Sequence, residues 1–270
     1  DGEGMDRHAP VGVYDSGVGG LTVVREIRRQ LPAEQIIYLA DSARLPYGDR
    51  PPQEIQLFAR QIITFLLSRG VEMVVIACNT SSALALPIIR EEFSLPLIGM
   101  IEPGVTAALR MSGKGKVGVI ATQGTVDSDA YGRMLRKHGV KVYSQACPRF
   151  VPLIESGHLN SPQMAQAIDE YLGPLRAAGV DALIYGCTHY PFLNSQIQGY
   201  MGQTKTVDPA VEAVRQASLC LADMGLISPV KKNRDLFFTT GDPKEFARRG
   251  ARLLGQELDR VEQIDLNAEG

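Results

Sequence analysis

The order of the apolar segments predicts an α/β protein. It is built as two similar domains with mainly parallel sheets flanked by helices, related by internal duplication, with the active site in the cleft between them. Three observations carry this expectation. Short β-branched runs alternate with amphipathic stretches through the first 93 residues. Landmarks of the first half recur in the same order in the second. Two cysteines occupy matched points of the copies, each eight residues after a glycine, Gly70 to Cys78 and Gly179 to Cys187.

Residues 11–14, 36–39 and 71–77 are rich in Val, Ile and Tyr, side chains that suit a pleated, half-buried surface, and are expected as strands. Residues 21–31, 53–68 and 82–93 carry apolar side chains at helical spacing. This βαβα order calls for a parallel sheet covered on both faces, whose ligands collect at the carboxyl ends of strands. Asp15, Asp41 and Cys78 each stand just past a strand-like run. In the second half Val117-Gly118-Val119 repeats Val11-Gly12-Val13, which aligns Thr122 with Ser16. Pro162-Gln163 opens the stretch that ends at Gly179, as Pro52-Gln53 opens the one that ends at Gly70. Helix-like residues 210–224, strand-like 236–239 and helix-like 243–257 have no counterpart in the second half. They are expected to return to the first domain, giving domains of residues 1–100 with 211–270, and 101–210. Residues 258–270 read as a largely polar trailing terminus.

With 270 residues and 44% apolar content the chain can bury substantial cores. A net charge of −2 and a pI near 6.1 leave no basic field to hold a phosphate backbone, which argues against nucleic acid as a main partner. Apolar runs stop well short of the roughly 18 residues that suggest a membrane span, and polar residues 1–10 lack a signal-peptide core, so the expected compartment is the cytoplasm, with no membrane partner. Asp1 to Gly4, ahead of Met5, read as a remnant of processing or expression. Four cysteines without a CxxC spacing argue against a disulfide framework and a zinc ribbon.

Two thiols in register after two apolar strands suit a particular chemistry. Facing each other across a cleft, they can remove a proton from one face of a carbon and deliver another to the opposite face, as a racemase does. A proton α to a carboxylate is weakly acidic, so its removal needs an oriented base, a desolvated site and stabilisation of developing charge. Each residue has a plainer alternative. Cys78 alone fits a buried small hydrophobe, although Cys78-Asn79-Thr80-Ser81-Ser82 also gathers N–H groups and hydroxyls between a strand and a helix. Cys147 and Cys220 look structural. His189 could relay the Cys187 proton or be a satisfied structural group. Asp15, in Asp15-Ser16-Gly17-Val18-Gly19-Gly20, could bind an ammonium group, orient a thiol or cap a helix. That turn lacks both the P-loop and the GxGxxG pattern. Pro46-Tyr47-Gly48 could bring backbone to a ligand or form a surface loop, and Glu155 could be an ordinary helix or turn residue.

Taken together, Val13-Tyr14-Asp15-Ser16-Gly17-Val18-Gly19-Gly20-Leu21, Asp41-Ser42, Pro46-Tyr47-Gly48, Ala77-Cys78-Asn79-Thr80, Glu155-Ser156-Gly157 and Gly186-Cys187-Thr188-His189-Tyr190-Pro191 closely resemble the glutamate racemases of the aspartate/glutamate racemase superfamily. The resemblance spans roughly residues 10–255. It implies cofactor-independent exchange of L- and D-glutamate, with D-glutamate supplied to peptidoglycan synthesis, and commonly a homodimer. It further implies that Cys78 acts on the D-enantiomer and Cys187 on the L-enantiomer, assisted by Asp15, His189 and Glu155. Ser16, Asn79, Thr80, Thr122 and Thr188 would hold the amino and α-carboxylate groups, and Tyr47 with Gly48, in the turn opened by Pro46, the side-chain carboxylate.

Three other readings compete. A racemase of aspartate or another acid is the nearest. A two-lobed amino-acid-binding protein explains the duplication but not two thiols in register. A cysteine hydrolase using Cys187 and His189 leaves Cys78 idle. No metal is expected, since only Cys187-x-His189 has ligand-like spacing. No pyridoxal cofactor is expected either, since these motifs contain no lysine.

Overall fold

The computed structural model describes residues 9–258 and 260–267, so the remnant expected at residues 1–4 lies outside the described residues. The strands are β1 Val11–Asp15, β2 Ile36–Ala40, β3 Met73–Ile76, β4 Leu97–Ile98, β5 Lys116–Ala121, β6 Lys141–Ala146, β7 Ala182–Gly186, β8 Lys205–Val207, β9 Leu236–Thr239 and β10 Val261–Gln263. They form a six-stranded sheet ordered β10-β9-β2-β1-β3-β4 and a four-stranded sheet ordered β6-β5-β7-β8. Every pairing is parallel. Without β9 and β10 the two sheets have the same strand order, the topological form of the repeat read in the sequence.

The Pro and Gly landmarks recur because they delimit the same helix in each half. Pro52 and Pro162 occupy the first helical turn of Pro52–Ser68 and Pro162–Ala178, where a missing N–H costs nothing. Gly70 and Gly179 follow those helices with φ of 80° and 72°, a left-handed conformation that glycine adopts without strain. Ile55, Phe58, Ile62, Phe65 and Leu66 make the buried stripe of the first of these helices. Side chains alternate along β1. Val11 and Val13 join the core under helices Leu21–Gln30 and Pro209–Asp223, whereas Tyr14 joins the opposite core under Pro52–Ser68.

Two expectations need correction. Residues 82–93 are not one helix but Asn79–Leu84, Leu86–Ile89 and the 3-10 turn Arg90–Glu92. Pro87 removes a backbone donor from that stretch, while the start moves back to Asn79 because Cys78 caps it. Nor does the terminus trail off. β10 pairs with the outer edge of β9, and Ile264 and Leu266 pack into the core under Pro52–Ser68. An uncovered β9 would present a row of unpaired backbone groups, and the tail supplies their partner.

Register sets the position of the site. Tyr14 pairs with Ile76 and Ala121 with Gly186, so Ser16 and Cys78 stand level just past one sheet, with Asp15 one step before them, as Thr122 and Cys187 stand level past the other. Among the described residues no helix is long and apolar enough to cross a membrane.

Candidate active site

Asp15 ends β1 fully buried, and its Oδ2 accepts hydrogen bonds from the N–H groups of Gly17 at 3.3 Å and Gly20 at 2.9 Å. The glycines make this turn possible. A Cβ on Gly20 would lie 2.5 Å from the Asp15 Cβ and 2.6 Å from the Tyr38 hydroxyl. Burial raises the Asp15 pKa, with the charge of His189 and the backbone donors opposing it.

Cys78 caps helix Asn79–Leu84, and its Sγ accepts from the Ser81 N–H at 3.4 Å. Ser82 fixes that turn by donating to the carbonyls of Ile76 at 3.1 Å and Cys78 at 2.9 Å. Burial pushes the Cys78 thiol up to about 12, the Asp15 charge adds to this, and the Ser81 N–H opposes it.

Cys187 stands just beyond β7 in a different setting. Its Sγ lies 3.8 Å from His189 Nδ1, and His189 Nε2 lies 2.9 Å from Glu155 Oε1. The other Glu155 oxygen accepts from Arg249 Nη1 at 2.7 Å. Burial alone would lower the His189 pKa, but its bonds to Cys187 and Glu155 outweigh burial and raise it to about 10. Burial likewise works to raise Glu155, and the bond and charge of His189, with the charge of Arg249, bring it below its ordinary value instead. The pair is therefore an imidazolium and a carboxylate at neutral pH.

The two halves meet at these strand ends. Thr188 Oγ1 donates to Asp15 Oδ2 at 3.5 Å, and Thr22 Oγ1 donates to the Thr188 carbonyl at 3.3 Å. A Cβ on Gly19 would lie 2.2 Å from Thr188 Oγ1 and 2.5 Å from His189 Nδ1, so the glycine-rich turn fits against the second half only because it lacks side chains there. Thr80, Thr122 and Thr125 place their hydroxyls 3.2–3.3 Å apart in a triangle spanning the cleft. The Tyr131 hydroxyl donates to Asn79 Oδ1. At the rim, a Cβ on Gly124 would sit 2.6 Å from the Gly48 carbonyl oxygen.

Asp15, Cys78, Asn79, Thr80, Thr122, Glu155, Cys187, Thr188 and His189 are thus gathered along one seam. Ser16 is partly exposed next to Asp15, Gly48 faces Thr122, and Pro46 is exposed after a cis peptide bond. Tyr47 is buried and its hydroxyl donates to Asp41, a carboxylate that also accepts from Arg44 Nε at 2.7 Å and Thr240 Oγ1 at 2.8 Å. That hydroxyl is committed within the protein, so what the turn has to offer a ligand is backbone. Sequence reasoning missed Thr125, Tyr131 and Arg249, and it quoted Gly19 and Ser81 within their motifs without giving either a role of its own. Thr125 had a signal, standing one helical turn after Thr122. Ser81 had another, three residues beyond a strand-end cap. Tyr131 and Arg249 had none. Among the described residues, no group of three or more His, Cys, Asp or Glu is arranged to hold a metal ion.

Two buried thiols stand at equivalent strand ends, with a carboxylate near one and an imidazolium beside the other, an arrangement that suits two-sided proton transfer. Residues 12–217 match the Asp/Glu/Hydantoin racemase family model, and the chain belongs to that family. It is 44% identical over 266 residues to a glutamate racemase of Desulforudis audaxviator, covering 95% of this chain and 97% of that one. Glutamate racemase isoform RacE1 from Bacillus anthracis superposes with a TM-score of 0.92 at 39% identity, covering 96% of this chain and 98% of that one. The glutamate racemase of Francisella tularensis in complex with D-glutamate superposes with a TM-score of 0.90 at 36% identity, covering 97% and 99%.

Proposed function

We infer that this protein interconverts L- and D-glutamate by proton transfer between two cysteines at the α-carbon, without a cofactor, and so supplies D-glutamate for peptidoglycan synthesis. The observation that carries the chemistry is the placement of Cys78 and Cys187 at equivalent strand ends of two sheets of the same strand order, on opposite sides of one seam. Glutamate rather than another acid is supported by near-full-length similarity to glutamate racemases, one of them bound to D-glutamate.

From L-glutamate, the Cys187 thiolate takes the α-proton, and the electron pair of the broken C–H bond delocalises into the α-carboxylate. The Cys78 thiol then gives its proton to the opposite face. This yields D-glutamate and leaves Cys187 as the thiol and Cys78 as the thiolate. The reverse reaction exchanges the roles. A thiolate formed at Cys187 has the His189 imidazolium as a hydrogen-bond partner, and one formed at Cys78 has the Ser81 N–H. In this reading Ser16, Asn79, Thr80, Thr122 and Thr188 supply the polar contacts for the amino and α-carboxylate groups, and the Tyr47-Gly48 backbone meets the side-chain carboxylate. The hydroxyl triangle suits an oxyanion because each hydroxyl can turn to donate.

The test is proton NMR of L-glutamate in D2O with purified, reduced protein and nothing added, recorded with optical rotation. Loss of the α-proton signal as rotation decays to zero is expected. No exchange by folded protein would exclude glutamate, and aspartate would be tried next.

A further inference from the structure

Arg249 belongs to helix Pro243–Leu254, whose Phe246 is buried against Tyr38 of the first sheet. Glu155 ends helix Phe150–Glu155, and His189 follows β7, both in the second half. The Arg249 guanidinium bridges this gap as a fork, with Nη1 2.7 Å from Glu155 Oε2 and Nη2 2.5 Å from Glu245 Oε1. Arg252, one turn further on, donates to the Glu155 carbonyl at 3.1 Å. With one carboxylate oxygen on Arg249 and the other on His189 Nε2, Glu155 has no free oxygen about which to swing.

We propose that Arg249 is a positioning residue for the Cys187 half of the reaction. By holding Glu155 it fixes the ring of His189 against the Cys187 sulfur, and it does so only when the two halves are closed. The proposal rests on the reading of Cys187 as a reacting thiol. One end of the fork travels with the first sheet and the other with the second, so any separation of the halves pulls the cation off Glu155. Closure and assembly of the Cys187 charge system are then one event. The Cys78 side is linked otherwise: its sulfur is capped by the Ser81 N–H of the helix it opens, and its neighbours reach across the seam through uncharged groups, Thr80 to Thr122 and Thr125 and Asn79 to Tyr131.

The charges that decide the pH behaviour come from several elements. Asp15, Glu155 and Cys187 act on His189. Arg249 acts on Glu155, and Glu245 on Arg249. Cys78 feels the charges of both Asp15 and Cys187. Deleting the Arg249 cation removes an attraction from Glu155, which then titrates at higher pH, and frees Glu155 to leave His189, which loses the bond and charge that raise its pKa and titrates at lower pH.

The test compares Arg249→Met, Arg249→Gln and Arg249→Lys with wild type by kcat and kcat/KM for glutamate across pH. The His189 imidazole is followed by NMR in parallel, its signal assigned with His189→Gln. Arg249 is one-third exposed, and the two charge-removing variants guard against a single poorly folding one. The expected result is a kcat about ten-fold lower in both neutral variants, with the His189 titration and the limb of the kcat/KM profile that it sets displaced downward from about 10, as loss of the Glu155 bond requires. Arg249→Lys, which keeps the charge and loses the fork, should return the profile to its wild-type position. A profile and a His189 titration that stay in place or move upward in the neutral variants, whatever the height of the rate, overturn the proposal. The imidazole readout needs no turnover. A wild type that does not racemise glutamate overturns the proposed function, and a racemising wild type with an unmoved His189 overturns the role of Arg249 alone.

Discussion

The two thiols occupy the same place in two copies of one topology, yet their polar and charged partners differ. Both lie against apolar side chains, Cys78 in the core under Pro52–Ser68 and Cys187 in a core of the second half. Cys78 is otherwise poorly supplied. Its donors come from Ser81, and its charged neighbour Asp15 is an anion. Cys187 has the His189 imidazolium beside it, followed by Glu155 and Arg249. Duplication therefore supplied the geometry of two opposed groups, and divergence supplied the charge difference between them. The resting proton belongs on Cys78, where burial and Asp15 both favour the neutral thiol.

The largest effect should come from removing either thiol. Cys78→Ala and Cys187→Ala should each lower racemisation by at least about a thousand-fold, because each deletes a general acid or base. Enantiomers have equal free energy, so kcat/KM must fall equally in both directions and rates alone cannot tell the halves apart. Exchange of the α-proton in D2O can. Cys78→Ala should retain exchange only of L-glutamate and Cys187→Ala only of D-glutamate, and the same enantiomer exchanging in both variants would refute the assignment.

Next in size is Asp15→Asn, which removes the anion that separates the two environments. Activity should fall about a hundred-fold. The Cys78 thiol should move down from about 12, seen as faster alkylation of that residue at pH 9 in the Cys187→Ala background. Unchanged alkylation would mean that burial alone sets the thiol.

His189→Gln should cost about ten-fold in kcat and leave a clearer mark on stability. The His189 pKa rises from its ordinary 6.5 to about 10, so its stabilisation is complete below pH 6.5 and is lost as pH climbs through 10. Glu155 is shifted the opposite way, so its share is present above its ordinary 4.5 and is lost on acidification below that. Wild type should therefore lose Tm between pH 7 and 10 more steeply than His189→Gln, and parallel slopes would contradict a charged pair. The smallest effect is expected from Cys220→Ala. That thiol lies 3.8 Å from the Met224 sulfur at the margin of the first core, away from the seam, and kcat/KM should stay within about two-fold.

Much of this difference between the thiols was invisible in the sequence. Strand ends were legible because β1, β3 and β7 are buried on both faces and read as continuous apolar runs. β6 was not legible, since Lys141–Ala146 is an edge strand with no fully buried residue, and β4 and β10 are too short to show a pattern. Asp15, Cys78 and Cys187 could be named from position alone. Tyr131 and Arg249 could not, because each reaches its partner across the seam between halves, and no local spacing encodes that meeting. The polar appearance of residues 258–270 hid Ile264 and Leu266, whose burial depends on the strand that carries them to the core.

Gly19 touches no proton in this chemistry, yet a single methyl group there would collide with both Thr188 and His189. In a saturation-mutagenesis screen scored by growth on D-glutamate made in the cell, position 19 would then be as intolerant as the two cysteines. An essentiality map of this chain would mark a spacer as though it were a catalyst. Only a purified Gly19→Ala protein, with its thiols intact and its halves wedged apart, would show that the lost quantity was fit.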